Sequence, residues 1–484
     1  MKIRNKIFAS SLLLLVAIAG MSCKKYLDIN KNPLSAEKVE AKLLFGYAVT
    51  AWDVSKNSGD NYIALGFLGQ TLSSGGDFSE NWGSSNLYNI STNIIGNGWK
   101  VYYSTAGFNL KQAIKAAESA KPVNNNGAAQ CKIILAQLLF EGTTLFGDVP
   151  YSQAFDINQF PYPKYDAQKD VLESLLKLLD EANAQIDVAN TTKIADYDIF
   201  YGGVMANWKK LANSIKFKIL MTMVDKDPSK AAAIGALVQA PATMIASPAD
   251  NFRVLYSGNT NNENPKFRLF GGQNPFTYAN KTVTDWMVRK NDPRLPKYFD
   301  RPAGETNYIG VPANVDADEH TSLISTYLYR KTAPSLIFSF QEMLFLQAEV
   351  YARGIGVPKN LTTANTLYKN ALQAAFTFYE ADPAKVSAYM TPGGGLVDLT
   401  TAADPVKEIH MEQWIDMMDR PLEAFLQWRR SGPDGSEVPL LTVPFGATAG
   451  PLFRRLPLSD DEIRANPNIP NPQPKYTDKV WFDL

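Results

Sequence analysis

Residues 341–376 read Gln341-Glu-Met-Leu-Phe-Leu-Gln-Ala-Glu-Val-Tyr-Ala-Arg353, then Gly354-Ile-Gly-Val-Pro358, then Lys-Asn-Leu-Thr-Thr-Ala364-Asn-Thr-Leu-Tyr368-Lys-Asn-Ala371-Leu372-Gln-Ala-Ala-Phe376. The spacing predicts a helix over Met343–Arg353, a stop at Gly354–Pro358, and a second helix carrying Ala364, Tyr368, Ala371, Leu372 and Phe376 on one face. Small residues at Ala364 and Ala371 let two helices approach closely, while Tyr368 and Phe376 fill the groove between them. Such a pair cannot bury its apolar face alone, so it points to a stack of similar units.

Helical period recurs outward from this unit. Tyr103–Ala117 places Tyr103, Ala106, Leu110, Ala113, Ile114 and Ala117 three or four apart. Ile133–Phe140 is apolar nearly all round and reads as a buried helix. Val171–Ile186 has an apolar stripe with Glu173, Lys177, Asp180 and Glu181 outward, and Trp208–Val224 and Leu336–Tyr351 repeat the theme. Trp208-x-x-Leu211-Ala212 is similar to the first helix of a tetratricopeptide unit, with Ile215 where its tyrosine would stand. No clean 34-residue repeat runs through the chain. The expected fold is therefore mainly α, built of degenerate tetratricopeptide-like helix pairs. Pro421, inside the Trp414–Trp428 pattern, should kink or split that helix.

Two stretches break the rhythm and give the fold an irregular, loop-rich part. Residues 66–99 are rich in Gly, Ser and Asn, with Phe78, Trp82, Tyr88 and Trp99 dotted through them. Residues 252–329 mix Gly, Pro and Asn with Tyr256, Phe267, Phe270, Phe276, Tyr278, Tyr308 and Tyr327. Long loops with aromatics are where scaffolded proteins place binding sites. Capture of a small polar ligand in such loops needs flat apolar faces for stacking plus amides for hydrogen bonds. Asn81, Trp82, Asn86, Tyr88, Phe276 and Tyr278 are the candidate ligand-binding residues on that ground. The alternative is that Trp82 packs its loop onto the helices. From Ser431 onward the chain holds nine prolines, so the 431–484 tail cannot form a long helix and is expected to lie along the surface.

The front of the chain carries Lys2, Arg4 and Lys6, an apolar run over residues 7–19, and Gly20-Met-Ser22 before Cys23. That run is too short to span a bilayer, so residues 1–22 read as a signal peptide and residues 23–484 as a single mature domain. A cysteine at this point is expected to be acylated, anchoring the protein to a membrane by lipid, although Gly20 stands where lipoprotein signals usually have leucine. An ordinary signal with an incidental cysteine is the alternative. Removing the leader leaves 45 basic against 48 acidic residues, which argues against nucleic-acid binding. The other cysteine, Cys131, then has no partner and reads as a small buried residue.

The two histidines, His320 and His410, weigh against a His-rich zinc site or a Ser/His/Asp hydrolase. A carboxylate-pair glycosidase needs no histidine and remains a rival reading, as does a helical scaffold without a small ligand. Asn314-x-Asp316-x-Asp318-Glu319 spaces oxygens as a calcium loop does. It lacks the glycine at its sixth position and the glutamate at its twelfth, so no metal is expected there. No Walker A, G-x-S-x-G, H-E-x-x-H or C-x-x-C signature occurs, and no cofactor is expected.

Six blocks resemble the SusD/RagB family of surface nutrient-binding lipoproteins. They are Cys23-Lys-Lys-Tyr-Leu27-Asp28; Leu145-Phe-Gly147-Asp148-Val-Pro150-Tyr151; Asn291-Asp292-Pro293-Arg294-Leu295-Pro296-Lys-Tyr298-Phe299; Ser339-Phe-Gln-Glu342 to Ala348-Glu349; Gln413-Trp414-Ile415 with Glu423-Ala424 and Trp428-Arg429-Arg430-Ser431-Gly432; and Arg454-Arg455-Leu456-Pro457 with Glu462 and Asn466. Their physical reading is structural: a turn at Asp292-Pro293, a sharp bend at Gly147, and a helix C-terminus whose dipole suits Arg429 and Arg430. The resemblance implies a SusD-like helical scaffold and a non-enzymatic role. It implies capture of an oligosaccharide or peptide nutrient at the cell surface, and delivery to a SusC-like TonB-dependent transporter.

Overall fold

The computed structural model describes residues 39–75, 90–271, 277–444 and 452–484. About half of the chain is helical, with 17 α-helices among the described residues. The first part is an array. α1 (Ala41–Lys56) is followed by α2 (Ala64–Leu68) and strand β1 (Leu72–Ser74). α3 (Thr92–Lys100) runs through a π-helical turn at Val101–Thr105 into α4 (Ala106–Glu118). Then come α5 (Asn125–Phe146), α6 (Gln168–Gln185), α7 (Met205–Met223) and α8 (Ala231–Val238). α1 packs on α4, α4 on α5, α5 on α6 and α6 on α7. The stripes predicted from the 3.6-residue period face these seams: Leu110, Ala113, Ile114 and Ala117 on α4, and Val171, Leu172, Leu175 and Leu179 on α6, are all buried. α5, apolar nearly all round, is buried nearly all round. Cys131 lies within it, and burial pushes its thiol up, which leaves it unreactive.

The irregular part contains short elements: β2 (Phe252–Val254), α9 (Pro265–Phe270), β3 (Thr277–Ala279), α10 (Lys281–Arg289), α11 (Leu295–Tyr298), β4 (Phe299–Asp300), β5 (Leu323–Ile324) and β6 (Ser335–Phe338). Antiparallel pairing gives a four-stranded sheet, β1-β3-β5-β4, and a two-stranded sheet of β2 and β6. Residues 66–99 are thus less irregular than their composition suggests, since α2, β1 and α3 occupy both ends. Leu336–Tyr351 is not one helix either. Its first residues form β6, Ser339 caps the next helix by accepting the Glu342 N–H at 3.1 Å, and α12 (Phe340–Arg353) begins there.

The helix pair read from residues 341–376 is present. α12 ends at Gly354, whose φ of +76° is the left-handed stop, and α13 (Leu361–Phe378) starts from an Asn360 cap that accepts the Thr363 N–H at 2.9 Å. Ala364, Tyr368, Ala371, Leu372 and Phe376 are all buried against α12. Gly356 is required by contact: a Cβ there would stand 1.9 Å from the Ala231 carbonyl of α8. α14 (Pro383–Met390) and α15 (Pro405–Asp416) follow, and Pro421 opens a separate α16 (Pro421–Arg430), the expected split. Beyond it the tail carries one short helix, α17 (Asp460–Ala465). It does not simply lie on the surface. Phe453, Leu456, Leu458, Val480 and Phe482 are buried, and the Leu456 N–H donates to Leu145 O at 2.8 Å. Prolines forbid a long helix there but not burial, because other segments satisfy the backbone.

The seams also hold buried ions. On α12, Glu342 pairs with Arg420 and, at 2.7 Å, with Lys218 of α7; Glu349 takes Arg430 of α16 at 2.7 Å and lies 3.2 Å from His410. Glu423 of α16 pairs with Lys218 and reaches Lys56 of α1 at 3.5 Å. Arg294 is fully buried between Asp292 and Glu412, 2.6 Å from each. Arg429 binds carbonyls rather than an acid: its Nη1 donates to Thr144 O at 2.6 Å and Arg454 O at 2.9 Å, fastening α16 to α5 and the tail.

Candidate functional site

Cys23, Asn81, Trp82, Asn86, Tyr88 and Phe276 lie outside the described residues. Tyr278, the remaining candidate, is half-buried on β3, and its ring covers Gly75, where an added Cβ would meet Cε2 at 2.8 Å. In the β1–β3 pairing Ser74 stands opposite Thr277. Residues 76–89 follow directly from that end of β1, and residues 272–276 lead directly into that end of β3. The two segments carrying the other ligand candidates therefore attach to neighbouring strands, which run roughly 5 Å apart. The sheet gathers at one end residues about 200 positions apart in sequence.

Several aromatics that stood out in the sequence belong to the core. Trp99 is buried, with its ring 4.5 Å from Tyr103 and 4.9 Å from Phe146, and Phe270 is buried beside Tyr62. The Tyr256 hydroxyl donates to the Asp53 carboxylate. Tyr327 has two cations over its ring, Lys297 at 4.5 Å and Arg330 at 3.9 Å; Trp286 likewise carries Arg289 and Lys290, each at 4.6 Å.

Tyr308 is placed differently. It lines a cleft of about 580 Å³ bounded by the end of α10, the Asn291–Pro296 turn, Arg301, and α14 with its Gly394-Gly395 loop. That volume falls in the range of about 300–1,000 Å³ usual for small-ligand sites. Asn291, at φ +51°, turns the chain out of α10, and buried Asp292 grips Arg294, which fixes one wall. Gly395 fits closely, since a Cβ there would lie 2.3 Å from the Tyr389 ring. Tyr389 in turn donates to Glu412 Oε1 at 3.2 Å. Its lining mixes apolar groups (Val288, Leu295, Pro296, Ala388) with Thr306, Asn307, Arg301 and Lys385. Apolar patches, amides and a phenol in one concavity are the chemistry that holds a sugar chain. Asp292 is the one carboxylate lining this cleft among the described residues. Sequence reading marked Tyr308 only as one of many aromatics and missed Asn291, Arg301, Asn307 and Lys385, because their neighbourhood is set by a turn and a distant helix.

The acidic 314–319 loop closes on itself: Asp318 Oδ1 accepts the His320 N–H at 3.0 Å and the Thr321 hydroxyl at 3.1 Å. No group of three or more metal-ligating side chains occurs among the described residues, and none of their single helices is long and apolar enough to cross a membrane.

Residues 45–442 match a family model described as SusD-like, starch-binding and associating with the outer membrane. Among curated proteins no relative matches. Solved structures of similar fold include a chitin-binding protein, 25% identical with a TM-score of 0.77, covering 92% of this chain and 99% of its own. A chitin-binding SusD homolog from Flavobacterium johnsoniae is 19% identical, with a TM-score of 0.75 and coverage of 92% and 98%. A SusD homolog from Bacteroides vulgatus is 19% identical, with a TM-score of 0.74 and coverage of 90% and 93%.

Proposed function

Since the chain belongs to the SusD-like family of outer-membrane-associated starch-binding proteins, we propose that it captures an oligosaccharide nutrient and passes it to a SusC-like TonB-dependent transporter. The observation that carries the ligand reading is the β1–β3 pairing. It sets Ser74 opposite Thr277, on the strand that carries Tyr278, and this supports reading the candidates of the two adjoining sequence segments as one site. The similarity to a chitin-binding protein over 92% of the chain supports a glycan over a peptide. Binding rather than hydrolysis fits the cleft, whose lining carboxylate Asp292 is occupied by Arg294. A hydrolase would need two carboxyls facing across the substrate.

The transporter reading has support from a second surface. α1 exposes Leu43, Tyr47, Thr50 and Val54, one face of the helix at four- and three-residue steps. Tyr197 packs over Gly46 beside Tyr47, while Ile199 and the 62% exposed Leu255 share a groove of about 600 Å³ with Thr50 and Val54. Exposed apolar side chains set on and beside a groove in this way suit a protein partner.

Calorimetric titration with chito- and malto-oligosaccharides tests the ligand reading. Trp82→Ala should weaken binding by roughly 1–3 kcal/mol, the cost of losing a stacking hot spot, with little change in melting temperature. A variant that melts many degrees lower with unchanged affinity would make Trp82 a core residue and move the site elsewhere.

A further inference from the structure

We propose that the cleft walled by Tyr308 and Lys385 is a subsite for an acidic oligosaccharide, with Arg301 and Lys385 holding sugar carboxylates; this rests on the glycan-binding reading and names its substrate class.

Two of the four charged residues lining the cleft are already neutralised. Lys290 is bound by Glu408 and, at 2.8 Å, by Glu412. Asp292 is bound by Arg294. Arg301 and Lys385 also line the cleft, and neither makes an ion pair among the described residues. The cleft's unneutralised charge is therefore two cations with no lining carboxylate left to oppose them. An exposed lysine or arginine on a convex surface signifies nothing. Here both border a concavity of about 580 Å³ whose lining includes Leu295, Pro296 and Tyr389, where an incoming anion leaves part of its water behind and feels the charges more strongly.

Arg301 is also held in place. Its guanidinium carbon sits 4.8 Å from the centroid of the Tyr308 ring and the side chain also hydrogen-bonds the phenol, so Arg301 is braced on Tyr308 with the rest of its five-donor fork left over. A braced guanidinium loses little freedom on binding and presents a fork that matches a carboxylate. Lys385, on α14 across the cleft, supplies a point charge on a flexible stem, which tolerates variation in where the next acidic group falls. Thr306, Asn307 and Asn291 offer hydroxyl and amide groups to the sugar hydroxyls between. A polymer of uronic acids meets this pattern, with a carboxylate on each rigid ring and hydroxyls around it. A neutral glycan would leave both cations without a partner.

Calorimetric titration of the chain lacking residues 1–22, at low salt, compares an oligogalacturonate hexasaccharide with chitohexaose and maltohexaose. The expected result is at least tenfold tighter binding of the oligogalacturonate, a preference that shrinks at high salt. The Arg301→Ala, Lys385→Ala double variant should lower oligogalacturonate affinity at least tenfold and abolish the preference. If removing the brace on Tyr308 lowers the melting temperature, Lys385→Glu alone decides, because exposed Lys385 makes no ion pair among the described residues. It should weaken oligogalacturonate more than chitohexaose. Retention of the acidic preference in these variants overturns the proposal. So does wild-type binding of neutral hexasaccharides with no response to oligogalacturonate, which leaves nutrient binding standing. Binding of neither class overturns both.

Discussion

Arg294 shows how the fold treats a buried charge. It has no solvent contact and spans Asp292, two residues away, and Glu412 on α15. Truncation would leave buried Asp292 without a cation, while Glu412 keeps Lys290, so Arg294→Ala should lose roughly 3–5 kcal/mol in urea unfolding. The acids nearby titrate in both directions. Burial pushes Glu412 up, but Lys290 and Arg294 outweigh it and hold the group down at about 2. Glu423 is also raised by burial and brought to about 2 by Lys218 and Lys56. Both contribute stability that is complete above their ordinary value of 4.5 and is lost as pH falls through 2. Asp416 and Asp483 act oppositely: burial raises each to about 6, so their contribution is complete below 3.8 and fades as pH rises through 6. Together they place maximum stability on the acidic side of neutrality. Melting temperature should be higher near pH 5 than near pH 8 and should fall as pH drops from 4.5 toward 2. A flat profile, or a maximum at alkaline pH, contradicts the pairing described.

At the scale of elements, α12 and α13 form the most self-explanatory unit. Every device that makes them, from the Ser339 cap through Gly354 to the Ala364 and Ala371 faces, lies within 40 residues. Ala371 is fully buried in that seam, so Ala371→Trp should destabilise by at least about 1–3 kcal/mol of overpacking, read as a shift in the urea midpoint. An unchanged midpoint would mean the seam is looser than its contacts. β6 was illegible for the complementary reason. Leu336-Ile337-Phe338 is a short apolar run that suits helix or strand equally. Its partner β2 lies over 80 residues earlier. Pairing decided it.

For the whole molecule, the anchor and the site are separate questions. If Cys23 carries lipid, Cys23→Ala should move the protein out of the membrane fraction or block leader cleavage; a variant still membrane-bound at unchanged mass would show another attachment. The six blocks of family resemblance look independent in the sequence. Several are each other's partners in space: Glu349 with Arg430, Arg429 with the Arg454 carbonyl, and the Leu456 N–H with the Leu145 carbonyl. Only the tertiary structure makes those matches. The sequence by itself determined the helices, their buried faces, their stops at Gly354 and Pro421, and the free buried Cys131, because a helix closes its hydrogen bonds four residues away and its period is written locally. It marked Tyr278 and Tyr308 as aromatics in irregular chain but could not tell a platform from a plug such as Trp99. Exposure, the joining of β1 to β3, and the company of Arg301, Asn307 and Lys385 around one cleft were decided by contacts between residues tens to hundreds of positions apart, which no local pattern encodes.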